Sequence, residues 1–562
     1  MSGLPGQHTW RGRRLAWLAQ PLRARTPLEA WQGVLHNRGL QEDDAFFSPR
    51  LSDLPDPDGM MDMPEAAERI VRAVRARERI HVFGDFDADG VIGTAILVDA
   101  LRRVGVDMGF SIPCRMEEGH GIGLDQVEQA VASGASLGIS VDTGTHCMKA
   151  CQRAAELGMD MIVSDHHLPG ETLPGALAVL NPARADCGFA QRKLCGTGVA
   201  FFLLMGVYKR LRAEKRELPD LRQLLDRVAV ATVADVMELV GVNRVLVHHG
   251  LMQLRERPSP GLAALMKVAS IRRPPDVETI AFQLAPRINA AGRMQHGIDA
   301  MRLLSCRDAE EAAKLALSLD QANVQRRKVE AEVYRQAEER VQVEGRLALY
   351  DAGWHAGVIG LVAGRLARRH GRPAAVGFLT RDGHIRISLR AAPGFHVGDI
   401  LKACKSCLLS CGGHQGAGGG VLRENDWQDF VVAFEEAVSN QQHCAKEQAV
   451  LYIDGELGME AMHPGLALRL ERLAPHGHGN PACRWLLRDV RVWERREMRG
   501  GAVRLQLGDG RRTVEAVAFR HRGLNQYLQP GARLSVIGQL QLDRWRGNGA
   551  VQWLVEDGLS EA

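Results

Sequence analysis

Apolar positions in this 562-residue chain change rhythm several times. Between residues 66 and 170, runs with helical spacing alternate with short continuous apolar runs of strand length. AAERIVRAVRARE reads as a helix, RIHVFGDFD as a strand, and VIGTAILVDALRRVG as a helix ending in glycine. LGISVDTGT is a second strand, CMKACQRAAELG a helix and MDMIVSDHH a third strand. This alternation predicts βαβ units on a parallel sheet. In open parallel sheets, sites form beyond the carboxyl ends of the strands, and the polar clusters fall there.

Further along, residues 305–345 give a long charged helical stretch in which Val329, Val333, Ala337 and Val341 recur every four residues, a narrow apolar stripe suited to bridging two lobes. A second α/β lobe is expected from residue 346 to 440, closing near GGHQGAGGG. Residues 450–562 alternate apolar and polar positions between turn signals, which predicts a small antiparallel barrel. That stretch holds sixteen arginines, thirteen acids and no lysine. Residues 1–65 are mixed and proline-dotted and read as an N-terminal extension. A catalytic α/β domain is expected over 66–304, followed by the connecting helix over 305–345.

Composition adds little to this picture. At 45% hydrophobic and 25% charged, the chain resembles a soluble globular protein, and its length demands several cores. A net charge of +4 does not by itself announce a nucleic-acid partner. No apolar run reaches the ~18–20 residues of a membrane span. The start carries Arg11, Arg13 and Arg14 but no apolar signal core, and the eleven cysteines are scattered, so a cytoplasmic protein with reduced thiols is expected.

The chemistry sits in the strand-end clusters. Asp85, Asp87 and Asp89 in GDFDADG would lie on one face of a strand, where like charges repel unless a cation intervenes. Carboxylates with imidazole suit manganese, magnesium or zinc. An exposed acidic turn would also read this way, and a calcium loop fails because its twelfth position is Ile96. Asp142 ends the second strand, Asp165, His166 and His167 end the third, and Asp235 follows the apolar run VAVATVADVM. Together these groups could hold two cations roughly 3.5–4 Å apart, an arrangement that activates water and neutralises phosphoryl charge. The implied reaction is phosphoester hydrolysis.

The set GDFDADG, VDTG, SDHH and VADV resembles the four motifs of the DHH phosphoesterase superfamily. NRGL, PCRMEEGHGIG, SDHHLPGETLP, GTGVAFFL, APRINAAGRM, WHAGVIG, SLRAAPGFH, GGHQGAGGG and APHGHGNP extend the resemblance to its RecJ exonuclease family, in the same order along nearly the whole chain. The resemblance implies a DHH catalytic domain, a DHH-associated domain for end binding and an oligonucleotide-binding barrel. It implies two Mn2+ (or Mg2+) ions with ligands drawn from Asp85, Asp87, Asp89, Asp142, His166 and Asp235, Asp142 bridging. His167 is expected to contact the phosphate and Asp165 to orient a histidine, completing the catalytic set. For phosphate and DNA, it points to Arg115, Arg287, Asn289, Arg293, Ser388, Arg390 and His414. Leu389 and Gly418 stand where this family usually has glycine and alanine. In the barrel, Trp545 with Arg544 and Arg546, and Trp553, are stacking candidates, Trp485 and Trp493 weaker ones.

The implied activity is 5′→3′ exonucleolysis of single-stranded DNA in repair and recombination. The expected working form is a monomer acting with a helicase and a single-strand-binding protein, with no membrane attachment. Two rivals remain: a DHH phosphodiesterase for short oligonucleotides or cyclic dinucleotides, and a non-catalytic replication scaffold of the same fold. Cys404, Cys407 and Cys411 invite a metal reading, but no second half-site is present, and their spacing suggests thiols packed along one helix face.

Overall fold

The computed structural model describes residues 9–11, 13–113, 121–294, 297–442, 450–498, 501–519, 524, 527–544 and 549–559. The chain divides into two compact units. One comprises residues 50–441 with 477–480, the other residues 1–49 with 442–476 and 481–562.

The larger unit begins with a five-stranded sheet in the order Asp107–Ser111, Arg79–Gly84, Ala135–Val141, Asp160–Ser164, Ala178–Leu180. Every pairing in it is parallel. Its central strands are buried on both faces, which is why they read as continuous apolar runs rather than alternating ones. The helices Ala88–Arg102 and Gly196–Ala213 are apolar around most of their circumference and pack together in the core of this lobe. The run preceding Asp235 is the helix Leu225–Ala234 rather than a strand.

The charged stretch is one helix of 36 residues, Ala309–Glu344, about 54 Å long at 1.5 Å per residue. Its first half buries Ala312, Ala316 and Leu319 in the core of the parallel-sheet lobe. Its second half buries Val333, Ala337 and Val341 against Leu349, Val358, Val362 and Leu366 of the next lobe, with Val329 half-buried beside them. The predicted stripe is therefore a real contact. That next lobe has a mixed sheet ordered Ser410–Gly413, Ala417–Arg423, His384–Arg390, Ala374–Leu379, Ala348–Asp351.

In the smaller unit, strands Trp485–Glu497, Val503–Gly508, Thr513–Ala518, Val551–Gly558 and Arg533–Leu542 form a closed barrel, because the first pairs with both the second and the last. The segment read as an extension over residues 1–65 is split between the units. Residues 1–49 belong to the barrel unit, and residues from 50 onward to the catalytic unit. The physical cause is pairing. Arg14–Trp17 runs parallel to Val450–Ile453, and Arg23–Ala24 pairs with Gly455–Leu457. Trp31 of helix Pro27–Arg38 joins the barrel-side core with Leu466 and Leu470. Arg13 bonds the buried Asp557 at 2.6 Å, and Arg38 bonds Asp454 at 2.9 Å.

The cysteine expectation is corrected. Helix Val397–Ala403 ends before Cys404, Cys407 closes a 3-10 turn, and Cys411 lies in the strand Ser410–Gly413. Only Cys404 is buried, and burial, with Cys407 and Cys411 nearby, pushes its thiol up to about 12. Packing thus accounts for Cys404 alone, since the helix is too short to carry all three.

Candidate metal centre and nucleic-acid site

Register brings the site together. Gly84 pairs with Val141, Val141 with Ser164, and Ser164 with Leu180. The residues that follow, Asp85, Asp142, Asp165 and Asn181, therefore leave the sheet side by side. This rim lies where the strand order reverses, between Arg79–Gly84 and Ala135–Val141, the crevice in which open parallel sheets bind ligands.

Asp85, Asp87 and Asp89 do not share one face of a strand, because the strand stops at Gly84. Asp87 instead caps the helix Ala88–Arg102, its Oδ1 accepting from the amides of Asp89 at 2.9 Å and Gly90 at 3.2 Å. Asp89, 2% exposed, accepts from the Gly196 and Thr197 amides at 2.6 and 2.9 Å. These are the first amides of helix Gly196–Ala213, whose positive end favours the carboxylate. Two glycines permit the crowding. A β-carbon on Gly90 would sit 2.7 Å from Asp85 Cα, and one on Gly196 would sit 2.7 Å from Asp142 Cα.

His166 is the centre of the cluster. Its Nε2 lies 2.9 Å from Asp142 Oδ1, 3.6 Å from Asp235 Oδ2 and 3.8 Å from Asp89 Oδ2. Ligand atoms of Asp85, Asp87 and Asp142 come within 4.8 Å of one another. So do those of Asp89, His166 and Asp235, and those of Asp142, Asp165, His166 and His167. Asp142 and His166 each belong to two sets, so the sets overlap instead of forming separate cages.

The electrostatics fit divalent cations. Burial, and then the carboxylates of Asp89, Asp87, Asp85 and Asp165, hold the Asp142 carboxyl well above its ordinary range. Burial and the charges of Asp89 and Asp87 push Asp235 up to about 8. Crowded acids of this kind are stabilised by positive charge, and carboxylate–imidazole donors suit manganese and magnesium better than soft metals. Asp142 itself adopts the left-handed conformation at φ 59°.

Asp165 holds the histidine loop in place. Its Oδ1 accepts from the amides of His166 at 2.7 Å and His167 at 3.2 Å and lies 2.8 Å from His167 Nδ1, while Oδ2 accepts from the Thr145 amide at 2.9 Å. Burial opposes the charge on Asp165, but these bonds win and hold it well below the usual carboxylate range. The same hydrogen bond raises His167 to about 9. Asn181, absent from the sequence-based set, donates to Thr145 Oγ1 at 3.0 Å and to the His167 carbonyl at 2.8 Å. Its only sequence signal is its place after a further short apolar run, AVL at 178–180.

Asn289 Oδ1 accepts from the Ala88 amide at 2.8 Å, tying helix Ala285–Met294 to the aspartate turn. Arg287 makes a part-buried ion pair with Asp320 of the long helix at 2.8 Å. Arg293 donates to the Gly357 carbonyl in the second lobe at 3.2 Å. There, Arg390 Nη1 donates to Ser388 Oγ at 3.1 Å and to the Leu389 carbonyl at 2.7 Å. His414 is exposed at the hairpin tip between Ser410–Gly413 and Ala417–Arg423, its amide donating to the Ala417 carbonyl at 2.9 Å. Arg115 lies outside the described residues.

In the barrel, Trp553 and Trp485 are buried core residues and cannot stack on a base from where they sit. Trp493 is 47% exposed, at a bulge between Val492 and Glu494, with the Arg491 guanidinium 5.0 Å from its ring. Arg544 is paired with Glu471 at 2.8 Å, and Trp545 and Arg546 lie outside the described residues.

The fold and the overlapping carboxylate and carboxylate–imidazole sets define a metal-dependent phosphoesterase of the DHH class. Residues 79–232 match the DHH family, N-terminal domain, residues 342–440 the DHHA1 domain, and residues 453–557 the RecJ OB domain. The chain belongs to the RecJ family. It is 32% identical over 547 residues to the single-stranded-DNA-specific exonuclease RecJ of Bacillus subtilis, covering 95% of this chain and 68% of that protein. Over 526 residues it is 34% identical to RecJ of Escherichia coli, covering 88% and 89%. The crystal structure of RecJ in complex with Mn2+ from Thermus thermophilus superposes with a TM-score of 0.80 at 29% identity, covering 95% of this chain and 76% of that one.

Proposed function

We propose that the protein is a single-stranded-DNA-specific exonuclease that hydrolyses phosphodiester bonds in the 5′→3′ direction. It uses two divalent cations, Mn2+ or Mg2+, with ligands from Asp85, Asp87, Asp89, Asp142, His166 and Asp235. The observation that carries this reading is the linkage of three ligand sets, one link through Asp142 and one through His166. Likeness to RecJ exonucleases supports the substrate class. When bound, the cations supply Lewis-acid neutralisation of phosphoryl charge and an activated water.

The chain's own residues do the rest. Asp89 is fixed on a helix N-terminus, and Asp165 holds His167 in place as a hydrogen-bond donor for the charge developing on the phosphate. Ser388, Arg390, Arg293 and His414 serve the strand end in the second lobe, and the direction of digestion follows from that end-binding role. Trp493 with Arg491 gives the barrel a stacking platform for unpaired bases. In this reading the enzyme works as a cytoplasmic monomer in DNA repair and recombination, on strands opened by a helicase and covered by a single-strand-binding protein. Among the described residues no helix is long and apolar enough to cross a membrane.

The test is digestion of end-labelled single- and double-stranded DNA with Mn2+, Mg2+ or chelator. The expected result is mononucleotide release from the 5′ end of single strands, with cation only. Release from the 3′ end, equal attack on duplex, or digestion in chelator would overturn the reading.

A further inference from the structure

Two exposed apolar residues directly follow cage residues in the chain. The first is Val236, directly after Asp235. Helix Leu225–Ala234 closes with the Val236 amide donating to the Val233 carbonyl and the Met237 amide to the Thr232 carbonyl, both at 3.1 Å. This closure needs a left-handed residue at the position of Val236, ordinarily glycine. Val236 adopts it at φ 56°, a strained conformation for a β-branched side chain. Its side chain gains no burial in return, since the residue is 65% exposed.

The second is Leu168, directly after His167 and 77% exposed. Its carbonyl lies 3.0 Å from His146 Nε2, which fixes the loop. The two segments meet at the cage, because His166 Nε2 is 3.6 Å from Asp235 Oδ2. Each therefore presents an apolar side chain one or two residues from that contact. Strain held at a site without gain in packing points to function rather than stability.

We propose that Val236 and Leu168 form an apolar rim of the cage that contacts the sugar and base of the terminal nucleotide, setting its phosphodiester over the ligands. A nucleotide offers phosphate to the cage and an apolar face beside it, which matches a charged floor with an apolar edge. The proposal rests on the nuclease reading above and adds the residues that position its substrate.

Val236→Gly separates function from structure, because glycine is the residue that the backbone prefers there. The expected variant melts at or above the wild-type temperature and takes up Mn2+ as the wild type does in calorimetric titration. Its KM for single-stranded DNA rises about tenfold, the loss of one buried aliphatic side chain, with kcat changed less. Leu168→Ala moves KM in the same direction, and Val236→Ile restores the wild-type value. Unchanged KM in both Val236→Gly and Leu168→Ala would overturn the proposal. So would a Val236→Gly variant that unfolds more easily while keeping wild-type kinetics, which would make the side chain structural. A wild-type protein that takes up Mn2+ but leaves single-stranded DNA intact would overturn the nuclease reading itself, and this inference with it.

Discussion

Asp142 carries several burdens at once: it ends a strand, adopts φ 59°, lies 2.9 Å from His166 and is surrounded by acids. Asn tolerates the left-handed region and keeps the shape of the side chain, so Asp142→Asn removes charge with little other change. We expect kcat to fall by roughly a thousandfold or more, because Asp142 belongs to two of the three ligand sets. Single-strand binding should persist in a gel-shift assay, and the fold should melt no lower than wild type, since a buried repulsion is relieved. His81 gives a pH prediction away from the ligands. Burial, with Arg79 adding a little, holds its imidazole near 4 against 6.5 when unfolded, and Ser111 Oγ lies 2.7 Å from Nε2. The unfolded chain takes up the proton first as pH falls. This contribution is therefore complete above 6.5 and lost on the way down to about 4, up to about 3 kcal/mol. Urea denaturation at pH 5 and 7.5 should show a smaller pH dependence in His81→Gln than in wild type.

At the scale of elements, two tightly packed positions stand opposite one another in the second lobe. Leu389 and Gly418 face one another across strands His384–Arg390 and Ala417–Arg423. Leu389 is fully buried, and a β-carbon at Gly418 would sit 2.6 Å from Leu401 Cδ1 and 3.0 Å from Val397 Cγ1. It is the helix Val397–Ala403 that leaves no room for a side chain at Gly418, while Ser388 and Arg390 alternate to the face opposite Leu389. Leu389→Ala should cost about 2–5 kcal/mol and Gly418→Ala about 1–3 kcal/mol. Urea denaturation measures both losses. The ion pair between Arg287 and Asp320 is a second link, joining helix Ala285–Met294 to the long helix.

For the whole molecule, the acid cluster couples metal binding to stability. A cage that binds cations only when folded stabilises the fold by about 2.7 kcal/mol at a hundredfold excess over Kd. Mn2+ should therefore raise the melting temperature of the wild type and leave Asp142→Asn nearly unmoved in differential scanning fluorimetry. Chelator should reverse the wild-type shift and stop digestion together. A cation shift of equal size in both proteins would place the stabilising metal elsewhere.

Local pattern and long-range packing divide the result between them. The alternation of buried strands and helices, read from spacing alone, determined that Asp85, Asp142 and Asp165 would follow the ends of strands in a parallel sheet, because strand length and helix length are local properties. The stripe Val329, Val333, Ala337, Val341 likewise announced a bridging helix through its own period. Asp235 was legible through the VADV motif and not through a strand: it ends a helix, and tertiary packing brings it to 3.6 Å from His166. Register decided that Asn181 reaches the same rim, and barrel closure decided that Trp553 faces inward while a bulge turns Trp493 out. The pairing of Arg14–Trp17 with Val450–Ile453 joins opposite ends of the chain, a contact with no local signature. Sequence period fixes which side chains share a face of one element; which faces meet is settled by packing among elements far apart in the chain.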